Sequence, residues 1–212
     1  MKLLKNEKGS AAIYLLWMMT VIIVLSIIIV NVVRVYAVKQ QASTAAQLGA
    51  IAATSEILIA TEDAIKEFDE AMMEALEEEE DYEPLWDIIV EKKNDYLSLG
   101  YAEEEAFIKA LNEILPGRLG DPILKNFFEV KFRLNPTLST NMYRSAQEVI
   151  KENEGNEEHL EILISSDKYR VEVRTDATYE TITDGTLIDS FTKDIPQEGY
   201  GPPLSYLKYV LN

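Results

Sequence analysis

The chain has 212 residues, a formal net charge of −17 and no cysteine. Without cysteine, neither a disulfide nor a thiolate metal site can form. The acidic excess argues against nucleic-acid partners and against peripheral docking on anionic lipid, because both need clustered Lys and Arg.

The first predicted element is a transmembrane helix over residues 10–33. No charged residue occurs from Gly9 to Val33, and about 20 apolar helical residues suffice to cross a bilayer. The stretch is apolar on every side, which does not fit the core helix of a soluble protein. It is also longer than the apolar part of a cleaved secretory signal, which has about 7–15 residues.

The residues that flank this helix predict its orientation. Residues 1–9 form a short basic tail with Lys2, Lys5 and Lys8, whereas Arg34 and Lys39 follow the apolar stretch. A basic tail before the first span favours a cytoplasmic N-terminus and a C-terminal domain outside the cell. A cysteine-free outer domain is ordinary in a bacterial envelope, so we expect a single-pass protein of a bacterial cell membrane.

Residues 34–80 are predicted to continue the same helix as an extended alanine-rich and then acidic segment. This part contains no proline, and its alanines favour helix. Small residues recur at three- and four-residue steps, including Ala45, Gly49 and Ala52, and form a candidate helix-packing face. The face could receive the protein's own domain or a neighbouring subunit, and the sequence leaves both alternatives open.

The N-terminal 60 residues resemble a known family. Gly9 and Ser10 precede the apolar stretch, Arg34 and Tyr36 follow it, and the alanine-rich segment QQASTAAQLGAIAAT comes next. This order resembles the TadE/TadG-like proteins of the Flp (tight-adherence) pilus-assembly system. The resemblance implies a non-enzymatic assembly component whose N-terminal helix contacts the lipid bilayer and other pilus or secretion subunits.

Gly9 and Ser10 are also a candidate processing site. Type IV pilin-like signals place Gly before the cleavage point and Glu five residues after it, but Tyr14 stands at the second position. One alternative is therefore a minor pseudopilin of a competence or type II-like system that lacks the usual glutamate. Another is an anchored extracytoplasmic binding or sensory domain.

Residues 81–212 are predicted to form an extracytoplasmic α+β domain of helices followed by a C-terminal antiparallel sheet. The acidic run Glu77–Asp81 lacks calcium-loop spacing and indicates a solvated helix face or loop. We expect a helix from Tyr101 that ends at Pro116, a strand within residues 127–134, and a helix over residues 141–153.

The sheet is predicted as a four-stranded meander near residues 160–195. Residues 160–164, 169–174 and 178–183 provide three strands, and the turn dipeptide Asp184-Gly185 leads to a fourth over residues 186–191. The aromatic tail is expected to pack on its own domain or to act as a strand that binds a partner.

We find no motif that predicts catalysis. His159 is the only histidine and lies in an acidic loop, so the common zinc ligand sets fail. No phosphate-binding glycine loop is present. We therefore predict no catalytic residue, no metal site, no cofactor and no small-molecule substrate.

Overall fold

The computed structural model describes residues 7–75, 82–183 and 191–211, and its first element is one long helix. Helix α1 (Glu7–Ala75) has 69 residues, which corresponds to about 100 Å at 1.5 Å per residue. No proline interrupts its backbone hydrogen bonds. The predicted continuation of the apolar helix into the alanine-rich segment is confirmed. The acidic run Glu77–Asp81 lies outside the described residues.

Two helices then form a hairpin beside the C-terminal end of α1. Helix α2 (Leu85–Ser98) and helix α3 (Glu103–Arg118) are joined by a turn in which Gly100 has a φ of +92°. The rings of Trp86 and Phe107 meet edge to face, with centroids 6.0 Å apart. Contrary to expectation, α3 continues through Pro116, because Leu115 and Leu119 are both buried and hold its last turn against the core.

The elements between α3 and the sheet are all helices. Helix α4 (Pro122–Phe132) begins with proline at its first position and is capped by the side chain of Asp121. The strand predicted within residues 127–134 is therefore wrong. Leu124 and Phe128 lie one turn apart and are both buried, a spacing that places both side chains on the core face of a helix. Helix α5 (Pro136–Glu152) starts five residues earlier than the predicted helix.

The sheet has three antiparallel strands, in the order β1 (Glu161–Ser165), β2 (Arg170–Glu180) and β3 (Thr192–Tyr200). The second and third predicted strands form one strand, β2. Asp176 between them does not form a turn, and inward positions alternate without a break from Val171 to Tyr179. The predicted turn Asp184-Gly185 and most of the predicted fourth strand lie outside the described residues.

The C-terminal tail packs on its own domain. Helix α6 (Leu207–Leu211) is short, and Tyr206, Leu207 and Val210 are buried in the core. The hydroxyl of Tyr206 lies 2.8 Å from Thr61 Oγ1 of α1. The tail is thus helical and buried, and the alternative of a partner-binding strand is wrong.

The C-terminal half of α1 is the central element of the domain. It packs against α5, α4 and α2 and against strands β2 and β3. Alanines on α1, including Ala45, Ala50 and Ala53, belong to the same hydrophobic core as Phe128, Ile150 and Val173. The architecture is α+β, as predicted, and α1 joins the apolar segment to the domain without a break.

Candidate functional site

The N-terminal half of α1 exposes apolar side chains in every direction. Most large side chains from Ile13 to Val33 are exposed, with Val24 and Ile27 half-buried, and this helix is long and apolar enough to cross a membrane. Its hydroxyl groups donate to the helix's own carbonyls: Thr20 to Leu16 at 3.0 Å and Ser26 to Ile22 at 2.8 Å. Polar groups satisfied within the helix are what a lipid environment requires. The segment is a candidate membrane anchor.

Asn31 joins this anchor to the end of the sheet. Its side chain accepts a hydrogen bond from the backbone N–H of Ile182 at 2.8 Å and donates to the Ile182 carbonyl at 3.1 Å. The Tyr179 hydroxyl donates to the Asn31 side-chain oxygen at 3.2 Å. One amide thus holds the far end of β2 on α1. An asparagine within an apolar stretch indicates a hydrogen-bonding residue, but the sequence did not identify these partners, which are 148 and 151 positions away.

The small-residue face of α1 is turned toward the protein's own domain at two of its three members. Ala45 and Gly49 are buried. A Cβ atom on Gly49 would lie 3.0 Å from the side chain of Ile150, on α5. A Cβ atom on Gly155 would lie 2.9 Å from the Cβ of Ala45. The absence of larger side chains lets α5 and the following turn approach α1 closely.

Strand β3 approaches the backbone of α1 even more closely. A Cβ atom on Gly199 would lie 2.1 Å from the backbone of Ala46, so only glycine fits at this point. The neighbouring Gln47 side chain donates to the Tyr200 carbonyl at 2.6 Å and accepts from its N–H at 3.2 Å. Helix and strand are therefore joined by a steric fit and by an amide that pairs with the strand backbone.

Another side of α1 is left uncovered by the domain. Leu48 and Ile59 are exposed, at 38% and 53% respectively. Ile51 and Ser55 between them are half-buried, and Ala52, the third member of the predicted packing face, is half-buried as well. We call Leu48, Ile51, Ser55 and Ile59 the free stripe of α1. Their three- and four-residue spacing places them on one side of the helix.

Beside the free stripe, α1 and α3 enclose a cleft of about 500 Å³. Its walls combine apolar side chains with carboxylates at the start of α3, namely Glu104 and Glu105. Lys109 contributes a cation to the same wall. An apolar floor with an acidic edge can accept an apolar segment from another molecule, particularly one that carries basic residues.

A buried carboxylate fastens the α2–α3 hairpin to α1. Asp69 is only 3% exposed and accepts hydrogen bonds from Leu85 N at 2.9 Å, Trp86 N at 2.8 Å and Tyr82 Oη at 2.6 Å. It therefore caps the N-terminus of α2 from another helix. Burial and the hydrogen bond to Asp69 raise the pKa of the Tyr82 hydroxyl. The sequence did not single out Asp69 among its many acidic residues.

His159 is paired rather than simply solvated. Its Nδ1 lies 2.9 Å from a carboxylate oxygen of Asp176, and this hydrogen bond raises the pKa of the imidazole. Asp194 lies close enough that ligand atoms of all three side chains fall within 4.8 Å of one another. Both carboxylates already accept from the domain's own donors, Asn156 and Thr178. The cluster ties the turn before β1 to the sheet.

The candidate processing site lies at the beginning of the described chain. Gly9 and Ser10 are in the first turn of α1, immediately before the apolar stretch. Cleavage between them would leave the rest of α1 and the whole C-terminal domain intact.

Comparison with known proteins gives one match. Residues 9–56 match the model of the Flp pilus-assembly TadE/G-like family. The matched segment contains the apolar stretch and the part of α1 that carries the small-residue face, so the resemblance seen in the sequence is confirmed over this segment. No curated protein matches the chain, and no solved structure does.

Proposed function

We propose that this protein is a membrane-anchored, non-enzymatic component of a bacterial pilus-assembly or related secretion system. The family match over residues 9–56 supports a pilus-assembly role, and the apolar half of α1 supports a membrane anchor. The N-terminus faces the cytoplasm and the α+β domain lies outside, in accordance with the basic tail before the span. The observation that carries the proposal is the continuity of α1 across the matched segment.

We propose that other subunits contact the protein through the free stripe of α1. Ala45 and Gly49 pack on α5, so larger residues there would disturb the domain before they affected a partner. The free stripe instead offers apolar side chains beside an acidic cleft. A partner helix that brings apolar and basic side chains would cover both. Ala52 lies at the edge of this contact and could take part in it.

The test is made in the source organism with substitutions on two matched surfaces. Ile59→Glu changes the free stripe, and Ile123→Glu changes the outer side of α4; the two side chains are 53% and 51% exposed. We expect Ile59→Glu to reduce the number of surface pili several-fold and Ile123→Glu to leave it unchanged. Electron microscopy gives the pilus count, and immunoblotting verifies equal protein levels.

Two results would contradict the proposal at different levels. Normal piliation after deletion of the gene would exclude a role in pilus assembly. Loss of pili on deletion but not in Ile59→Glu or Leu48→Glu would keep that role and exclude the free stripe as the contact. Since the chain has no cysteine, a single cysteine at Leu48 allows the partner to be crosslinked directly.

The second candidate function is that of a processed minor pseudopilin. Gly9 immediately before the apolar helix favours it, although Tyr14 occupies the position of the usual glutamate. Mass spectrometry of the protein from its native membrane separates the two functions. A mature chain that begins at Ser10 would indicate incorporation into a filament, and a chain that begins at Met1 would indicate a permanent anchor.

A further inference from the structure

The strands of the sheet run lengthwise along α1, and one end of the sheet points toward the apolar segment. Gly199, paired with Val173, meets α1 at Ala46, whereas the other end of the β2–β3 pair meets α1 at Asn31. The sheet therefore extends from the alanine-rich part of α1 down to the end of its apolar stretch.

Asn31 lies at the level where the hydrocarbon layer ends. From Ala11 to Asn31 the helix rises about 30 Å, which equals the thickness of a typical bilayer core. Arg34 is the first charged residue after the apolar stretch and lies only about 4.5 Å further along the axis. Ile182, hydrogen-bonded to Asn31, therefore lies on the bilayer side of Arg34.

The residues at this end of the sheet expose apolar side chains. Ile182 is 42% exposed, and Phe191 is 54% exposed. The backbone N–H of Phe191 donates a hydrogen bond to the hydroxyl of Thr181, which directly follows β2. We call Ile182 and Phe191 the sheet tip. Exposed apolar side chains next to a membrane segment are stabilised by entering the lipid interface, where aromatic rings are favoured.

We propose that the sheet tip is a second membrane contact, which inserts into the outer-leaflet interface of the lipid bilayer beside α1. Asn31 hydrogen-bonds to the Ile182 backbone and to the Tyr179 hydroxyl, and so holds the tip beside the anchor. The contact would hold the domain at a fixed distance from the membrane. This inference rests on the proposed membrane span but not on the pilus-assembly role.

Single-cysteine labelling provides the test, because the natural chain contains no cysteine. An environment-sensitive fluorophore is placed at residue 191, 163 or 25 of the full chain, with one copy in each phosphatidylcholine nanodisc. Phe191, Leu163 and Leu25 are 54%, 53% and 52% exposed, so the protein itself covers the three sites equally. Leu163 pairs with Glu172, which lies about 26 Å along β2 from Glu180.

Two quenchers then report where each label lies. We expect a nitroxide carried near the lipid headgroup to quench the label at residue 191. Aqueous iodide should quench this label at least threefold less than it quenches the label at residue 163. The label at residue 25 should respond to a nitroxide deep in the acyl chains. Ile182→Cys provides a second site on the sheet tip, and unchanged thermal unfolding shows that each labelled domain is folded.

The outcomes distinguish the inference from its premise. If residue 25 responds to lipid nitroxide while residues 191 and 182 behave like residue 163, the sheet-tip contact is refuted and the membrane span stands. If residue 25 does not respond to lipid nitroxide, the span fails, and the sheet-tip contact fails with it. Shielding of residue 191 cannot come from another subunit, because each nanodisc holds a single copy.

Discussion

The close approach of β3 to the backbone of α1 at Gly199 gives the sharpest prediction about stability. A Cβ atom there would lie 2.1 Å from the backbone of Ala46, whereas ordinary van der Waals contact begins at 3.4 Å. Gly199→Ala therefore requires about 1.3 Å more space between β3 and α1, and no flexible side chain can provide it. Overpacking costs about 1–3 kcal/mol, and loss of the two hydrogen bonds between Gln47 and Tyr200 adds about 1 kcal/mol each. We expect Gly199→Ala to lower the free energy of unfolding by about 3–5 kcal/mol.

Thermal unfolding of the full chain in detergent micelles, followed by near-ultraviolet circular dichroism, measures this loss. For a domain of this size, about 1 kcal/mol corresponds to about 2–4 °C, so the melting temperature should fall by about 6–20 °C. Two further glycines serve as controls. The three atoms nearest to a Cβ on Gly49 all belong to side chains, with Ile150 at 3.0 Å and Val173 at 3.6 Å. Gly49→Ala should therefore change stability by less than about 1 kcal/mol.

Gly117→Ala, in a helix with no atom within 4 Å of the new Cβ, should stabilise by about 0.5–1 kcal/mol. The reasoning is refuted if Gly199→Ala melts within about 2 °C of the natural chain, or if it costs less than Gly49→Ala does. Either result would mean that the strand does not lie directly on the helix backbone.

Three other predictions concern single side chains. Tyr206→Phe removes a buried hydroxyl and should cost about 1 kcal/mol, whereas Tyr209→Phe, at an exposed position, should have no effect on chemical unfolding. Burial raises the pKa of Tyr206, so its contribution to stability is present below the ordinary tyrosine value near pH 10 and is lost at higher pH. Alkaline spectrophotometric titration should show Tyr206 and Tyr82 ionising later than the other tyrosines, and one late-ionising tyrosine fewer in Tyr206→Phe. Asp69→Ala leaves two N–H groups of α2 without their acceptor and should lower the free energy of unfolding by about 3 kcal/mol or more. Asp69→Asn keeps one acceptor oxygen and should lower it by less. Equal losses for the two variants would contradict the capping role. The pKa of His159 should exceed its ordinary value of 6.5 in an NMR titration and should fall in Asp176→Asn; the stabilisation from this pair is present below pH 6.5 and disappears as the pH rises through the raised pKa.

The sequence predicted those features that depend on local composition. The uncharged apolar stretch and the proline-free alanine segment sufficed to predict α1, and alternation along residues 170–174 predicted the start of β2. Both patterns follow from the periodicity of a single element. The family resemblance likewise rested on the N-terminal residues alone, and the match covers the same part of the chain.

Features that depend on distant partners could not be predicted in this way. Residues 127–134 contain aromatic and branched side chains that fit a strand equally well. The helix is selected by its start at Asp121 and Pro122 together with burial of Leu124 and Phe128 against the core. Asn31 stands out as a polar residue in the apolar stretch and Asp69 is one of many acidic residues, but neither position identifies its partners, which are 151 and 16 positions away. A pattern of small residues also does not identify which molecule they pack against, as Ala45 and Gly49 illustrate.

The continuity of α1 has a mechanical consequence. A helix without proline that lies in the core of its own domain cannot bend at the membrane surface as a flexible linker does. From Asn31 to Ala75 it extends about 66 Å. A change of 20° in the tilt of the membrane segment, which is within the range that bilayer thickness can impose, would therefore displace the far end by about 22 Å. Bilayer thickness or a neighbouring helix can therefore change the position of the domain by changing the tilt of α1.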